Sequence, residues 1–264
     1  MNQITKRLPP RMAILASPHA AATRALTRLT ERYGQCTIDQ ADILVALGGD
    51  GFVLETLHNN ITQSKPVFGM RRGSVGFLCN EYREDDLIER VSAAQEVALH
   101  ALRMQAWSAE NPDAPPIEAL ALNEVSLWRE SRQAAKLRVS VDGVVRLEEM
   151  ISDGIIVATP AGSTAYNFSA HGTILPLEAN MLALTPINPF RPRRWRGALV
   201  AARSEITIEV LEPSKRPVSA AADITEARRV GRVQVSEDRS LALNLLFDPE
   251  HSLAERILRE QFQS

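Results

Sequence analysis

Asp50 is the residue from which a reaction can be assembled in this chain. It lies in Gly48-Gly49-Asp50-Gly51, after the apolar run Ile43–Leu47 and before Phe52-Val53-Leu54-Glu55-Thr56-Leu57, whose apolar residues are spaced for one side of a helix. Strand, glycine turn and helix aim backbone N–H groups and the positive end of a helix dipole at a phosphate. A carboxylate beside that phosphate would repel it. Asp50 must therefore cap the helix, meet a cation, or take a proton from an incoming hydroxyl. The last role would make the chain a kinase for an alcohol. A second glycine-rich turn, Gly69-Met70-Arg71-Arg72-Gly73-Ser74-Val75-Gly76-Phe77-Leu78, carries two arginines. Loops at the C-terminal ends of neighbouring parallel strands converge on one crevice. There Arg71 and Arg72 could meet phosphate oxygens and Phe77 could pack on a base; exposed arginines and a core phenylalanine are the plain alternative.

Three further stretches hold polar groups in unexpected places. Asn123 and Glu124 interrupt the apolar run Leu120 to Leu127, and adjacent strand residues point to opposite faces. One of them should meet the core side, where an unpaired polar group costs roughly 1–3 kcal/mol. A ligand with hydroxyls or an amino group would relieve that cost, and so would a neighbouring loop. Ile151 to Tyr166 runs from a strand into a loop of small residues and hydroxyls, followed by Ser169, His171 and Gly172. Small residues let a ligand approach the backbone, while the hydroxyls and Tyr166 supply hydrogen bonds and a flat face. A serine hydrolase would need Gly-x-Ser-x-Gly, which Gly162-Ser163-Thr164 does not provide; His171 is expected to be structural. Thr185 to Arg196 reads as a stiff loop with four arginines and Trp195, facing a phosphate or another subunit.

The elements that must position these groups fall into two textures. Strands at Arg11–Ala16, Ile43–Leu47 and Lys65–Met70 alternate with helical spacing over residues 20–33, after the glycine turn, and over Glu84–Ala98, which implies a parallel α/β layer. Beyond Met104 the runs are short and strand-like: Ala119–Trp128, Lys136–Val141, Val144–Leu147, Gly154–Ala158, Ala198–Ala201, Glu205–Val210, Arg232–Ser236 and Leu241–Phe247. Asp142-Gly143 is a two-residue hairpin signal. The expected fold is an α/β domain with a parallel sheet over residues 1–104, then a mainly antiparallel β-sandwich over 105–247. A helix over 249–262, with Leu253, Ile257, Leu258 and Phe262 on one side, packs back on the first domain as part of 248–264. A net charge of −2 argues against non-specific nucleic-acid binding. The absence of an apolar run near the roughly 20 residues of a membrane span, and of a leader-like N-terminus, leads to the expectation of a cytoplasmic protein. Two cysteines and five scattered histidines suggest neither a disulfide framework nor a zinc site.

Taken together, Gly48–Gly51, Gly73 to Leu78, Asn123-Glu124, Asp153 to Tyr166 and Thr185-Pro186-Ile187 resemble the NAD kinases in order and spacing over roughly residues 43–223. The Asp153–Tyr166 motif carries most of the specificity, since lipid kinases and distant phosphofructokinases share the glycine turn. The wording around Arg191 to Arg196 is similar to the alphaproteobacterial branch. The resemblance implies phosphorylation of the adenosine ribose 2′-hydroxyl of NAD, with ATP as donor and a divalent metal, usually magnesium, arriving with its phosphates. It implies Asp50 as general base. Gly51, Phe77, Asn123, Glu124, Asp153, Thr164, Ala165, Tyr166, Ser169 and Asp223 are assigned to NAD, and Gly48, Gly49, Arg71 and Arg72 to the ATP phosphates. NAD is expected to lie in a crevice between the domains, partly across a subunit contact, in a homodimer or homotetramer. Phe52, Arg71, Glu124, Thr173 and Ile224 depart from the residues common in the family at those places. There is no Walker-type Gly-Lys-Ser/Thr sequence, so this is not a P-loop kinase. A lipid or sphingoid kinase and a non-catalytic NAD(P) sensor are the competing readings.

Overall fold

The structure, a computed structural model, describes residues 9–73 and 77–251. Ser74, Val75, Gly76 and the expected tail helix beyond residue 251 lie outside them. The chain divides into two compact units, Met1–Leu99 with Ala242–Ser264 and His100–Leu241.

In the first unit β1 (Met12–Ala16), β2 (Ile43–Gly48) and β3 (Val67–Arg71) run parallel, with Ile14 opposite Val45 and Val45 opposite Phe68. α1 (Ala20–Tyr33) buries Ala22, Ala25 and Leu29, a spacing of three and four that forms one apolar stripe. That stripe shares a core with Ile14, Val45, Leu47 and Phe68. α1 stops at Gly34, whose φ of 80° suits a residue without Cβ. α2 (Asp50–Asn59) buries Val53, Thr56 and Leu57. The helix expected over Glu84–Ala98 is shorter: α3 spans Leu87–Ala93, and β4 (Gln95–Ser108) begins two residues later. Leu102 to Ala106 pair with Ala121 to Ile117, so long-range pairing overrides the helical spacing that reaches Ala98.

The second unit is antiparallel in its described strand pairs. β5 (Ile117–Ala121) pairs with β4, whereas β6 (Glu124–Arg129) belongs to a different sheet. The single strand expected over Ala119–Trp128 is thus two strands, and the chain changes sheet at Leu122-Asn123. β7 (Ala135–Val141) and β8 (Val144–Ser152) form the hairpin signalled by Asp142-Gly143, with both turn residues at positive φ. β9 (Gly154–Ala158) leads to the loop residues 159–165 and the one-turn α4 (Tyr166–Ser169). β10 (Met181–Ile187) and β11 (Ala198–Ala201) follow, then β12 (Ile206–Val210), β13 (Val218–Ala222) and β14 (Thr225–Ala227). Thr185 to Ile187, expected in a loop, close β10, whose Thr185 pairs with Ile156. The runs Arg232–Ser236 and Leu241–Phe247 are one strand, β15 (Val230–Phe247). Its first part pairs with β12, and Leu245 stands parallel to Val67 in the first unit's sheet. One sheet of the second unit runs β11-β10-β9-β6-β13-β14, and the other contains β12-β7-β8. A single core lies between them, joining Val125, Ile155, Val157 and Leu184 of the first to Val139 and Ile208 of the second.

Candidate functional site

In the first unit the glycine turn does two different jobs. A Cβ on Gly48 would stand 2.7 Å from the Cβ of Phe52, so this glycine lets α2 close against β2. Gly49 and Gly51 meet nothing within 4 Å at that position, which leaves their backbone bare. Gly49 is the N-cap residue of α2 without a side-chain cap, and Asp50 is the first helical residue. The expected alternative, Asp50 as the cap, does not occur. Instead its two carboxylate oxygens accept hydrogen bonds from the backbone N–H groups of Phe77 (2.6 Å) and Leu78 (3.0 Å). The carboxylate is thereby oriented from across the second glycine-rich turn, and the N–H of Arg72 donates to the Gly48 carbonyl at 2.7 Å.

The two arginines of that turn divide. The Arg72 guanidinium lies 4.0 Å from the centroid of the Tyr82 ring and its Nε donates to the Ala21 carbonyl at 3.3 Å. It braces the fold beside the turn. Arg71 ends β3 with an exposed side chain.

In the second unit Asp223 organises the sheet change. Its carboxylate accepts from the N–H groups of Leu122 (2.6 Å), Asn123 (3.1 Å) and Glu124 (3.3 Å), and its own backbone holds a φ of 45°. Non-glycine residues seldom adopt that conformation, and aspartate tolerates it better than most. Thr159 fastens the same turn to the next loop: its hydroxyl donates to the Leu122 carbonyl at 2.7 Å and accepts from the Gly162 N–H at 3.0 Å. A Cβ on Gly162 would run into the Asn123 carbonyl oxygen, so the Gly-Ser-Thr loop lies directly on the Asn123 backbone. Within this arrangement Oε2 of Glu124 is buried and without a hydrogen-bond partner among the described residues. Burial, then the nearby Asp223 carboxylate, pushes the Glu124 carboxyl up to about 8, against the pull of the Tyr166 N–H. Glu124 therefore carries a proton at neutral pH and has a polar atom in reserve.

Of the remaining expected residues Tyr166 and Ser169 line a cleft of about 310 Å³, together with His171, Asn188, Trp195 and Arg196, whereas Asp153, Thr164 and Ala165 do not line it. His171 and Asn188 both have positive φ, 61° and 46°, and such strain collects at ligand sites. Asp153 accepts from Arg129 Nε at 2.5 Å and from Asn188 Nδ2 at 3.0 Å. Burial works to raise its pKa, but the hydrogen bonds of Asn188 and Arg129 outweigh it and hold the carboxyl below the usual carboxylate range. Thr164 and Ala165 sit in the turn before α4, with the Thr164 hydroxyl donating to the Ala161 carbonyl at 3.5 Å. Asn167 is the hidden support. Fully buried, it donates to the carbonyls of Ser163 and Thr173 and accepts from the Thr185 hydroxyl at 2.6 Å. The sequence alone does not single out Thr159, Asn167, Arg129 or Asn188; a buried asparagine amid small residues was the available signal for the second.

Residues 122–237 match the family model of the ATP-NAD kinase C-terminal domain. The fold is similar to that of two solved structures, a yeast NADH kinase complexed with NADH (TM-score 0.81, 20% identity, 97% of this chain and 89% of that one) and an Archaeoglobus fulgidus NAD kinase in complex with ATP (TM-score 0.74, 22% identity, 95% and 98%). Parallel α/β strands followed by an all-antiparallel sheet, with the glycine turn in one and the Asn-Glu turn in the other, define the class: proteins with the NAD kinase fold. NAD kinases of Mesorhizobium japonicum and Caulobacter vibrioides are 54% and 53% identical to this chain, covering 96% of it and 97% and 96% of their own lengths. The chain belongs to the NAD kinase family.

Proposed function

We propose that this chain transfers the γ-phosphoryl group of ATP to the 2′-hydroxyl of the adenosine ribose of NAD, with Asp50 as general base. The ribose oxygen attacks the γ-phosphorus and its proton passes to the Asp50 carboxylate. The bond from the γ-phosphorus to the bridging oxygen breaks, and ADP leaves. The observation that carries this reading is the orientation of Asp50 at the first turn of α2, fixed by two amides beside two glycines with bare backbone. General-base help is worth about 10²–10⁴-fold. Positioning and charge neutralisation supply much of the rest in phosphoryl transfer. Among the described residues no cluster of three His, Cys, Asp or Glu side chains could cage a metal. A divalent ion would arrive with the nucleotide phosphates and neutralise their charge, NAD brings the hydroxyl, Asp50 is the proton acceptor and the glycine turn offers the phosphate-facing N–H groups. Dinucleotide recognition falls to Asn123, Glu124, Asp153, Thr164, Ala165, Tyr166, Ser169 and Asp223. The orphaned Glu124 oxygen supports this, because a partner from NAD would satisfy it.

Replacing Asp50 by Asn tests the reading. NAD affinity should stay within a few-fold while kcat falls about 10²–10⁴-fold, and the acidic limb of the pH–rate profile, where protonation silences a general base, should disappear. Near-normal kcat would exclude the base role. A fall in kcat with the pH limb intact would assign Asp50 to loop positioning alone.

A further inference from the structure

The second unit holds an apolar cleft that the phosphotransfer reading does not use. About 380 Å³ in volume, it opens at one end of the two sheets, where β7 and β8 face β10 and β11. Val139, Val141, Leu147, Leu184 and Val200 form its walls, and Trp195 stands beside them. Val139 and Leu184 are also members of the main core, so the cleft continues that core outward. A void of this size falls in the range of small-molecule sites, which are chiefly apolar with one or two polar groups to fix orientation.

The polar group here is a cation. Arg146 lines the cleft, exposed and without a carboxylate partner among the described residues. From the Arg191–Arg196 loop Trp195 alone lines it, whereas Arg196 lines the cleft beside Tyr166. Among the described residues the side chains of Arg191, Arg193, Arg194 and Arg196 form no ion pair either, and Arg193 stacks 5.1 Å from the Phe190 ring. The nearby Asp142 carboxylate is already satisfied by the Ser204 hydroxyl (3.1 Å) and the Glu205 N–H (2.9 Å). An apolar interior with an unneutralised cationic mouth suits one chemistry: a hydrocarbon tail inside and an anionic head at the guanidinium. A second copy of this chain would have to bring a carboxylate to Arg146 to occupy the same place, because residue i meets residue j across a two-fold interface, and the sedimentation measurement below distinguishes that occupant.

We infer that the cleft between β7–β8 and β10–β11 binds a single-chain amphiphile with an anionic head, of the medium-chain fatty acid class, with Arg146 holding the head. The cleft shares Trp195 with the cleft beside Tyr166, but none of the residues assigned above to NAD or ATP lines it, and decanoate binding is read without turnover. Titration calorimetry of the full chain with decanoate should give one saturable site. Decan-1-ol, which keeps the tail and loses the charge, should bind at least about tenfold more weakly, the order of one charge-assisted hydrogen bond. Arg146→Glu, a surface change, should weaken decanoate by a similar factor and leave decan-1-ol alone. Val200→Phe, which fills the wall, should weaken both. Equal affinity for the acid and the alcohol would overturn the proposal, as would unsaturable uptake or variants that bind like the parent. Two further results would replace it. Doubling of the mass in sedimentation at the decanoate concentration that gives the signal would make the cleft a seam between copies. Capture of the chain by phosphatidylglycerol vesicles, lost in Arg146→Glu without decanoate binding, would make it a membrane-facing patch.

Discussion

Glu124 shows how one side chain converts burial into a pH dependence. In the folded chain its carboxyl titrates at about 8, against 4.5 for an ordinary glutamate, because burial and the Asp223 carboxylate both disfavour the charge. A raised folded pKa means that the folded state holds a proton the unfolded state releases. Its contribution to stability is therefore full below about 4.5 and is lost as pH rises through about 8. The Tm of the parent, measured against that of Glu124→Gln, should fall across that window, and NAD affinity should weaken over its upper part as the buried group ionises. A Tm difference that stays flat with pH would exclude this account. The polar interruption at Asn123-Glu124 was legible in the sequence as an unmet cost. What could not be read there is that the chain changes sheet at this point, because the cause, three N–H groups gathered by Asp223, lies about a hundred residues away. Arg72 illustrates the same limit: its type and turn suggested a phosphate, but not that Tyr82 and the Ala21 carbonyl hold its guanidinium.

At the scale of elements, the glycines separate packing from chemistry. Gly48→Ala should push α2 away from β2 through the Phe52 contact and cost about 1–3 kcal/mol, the usual penalty of overpacking. Gly49→Ala meets open space at an extended φ of −108°, so Tm should hold while KM for ATP rises. Gly162→Ala would strike the Asn123 carbonyl and should cost both stability and NAD binding. Thermal melts and ATP and NAD kinetics on the three variants check this ordering. A Tm loss in Gly49→Ala equal to that in Gly48→Ala would remove the argument that the bare backbone serves a ligand. Strand, turn and helix around Asp50 were readable because each follows from local spacing. The Glu84–Ala98 helix was not, since residues 95–108 are committed to a strand by partners that local periodicity does not contain. The β15 strand was divided for the same reason: polar Glu237 to Ser240 interrupt its apolar pattern, but the ladder runs on.

For the whole molecule, the chain leaves its first unit near Leu99 and re-enters it near Ala242, so that unit depends on a distant return. Asp248 anchors the return. Its carboxylate accepts from Arg90 Nε at 3.1 Å and Nη2 at 2.6 Å, with both side chains buried. Its N–H donates to Asn80 Oδ1 at 2.9 Å, and Asn80 Nδ2 donates in turn to the Leu246 carbonyl. Removing one member of a buried ion pair leaves the other charge uncompensated and typically costs about 3–5 kcal/mol. Asp248→Ala should therefore lower the melting transition of the first unit by that order while the β-rich second unit keeps its own. In calorimetry a single parent transition should split, or the earlier of two should move alone. Arg90→Met combined with Asp248→Leu should recover much of the loss, since an apolar pair of similar volume often matches a buried ion pair. Without that recovery, the cost would belong to the backbone network through Asn80 rather than to the charges. Were both units to melt together in every variant, the division at Leu99 and Ala242 would describe compactness alone, and the return strand would have to be counted as part of one cooperative fold.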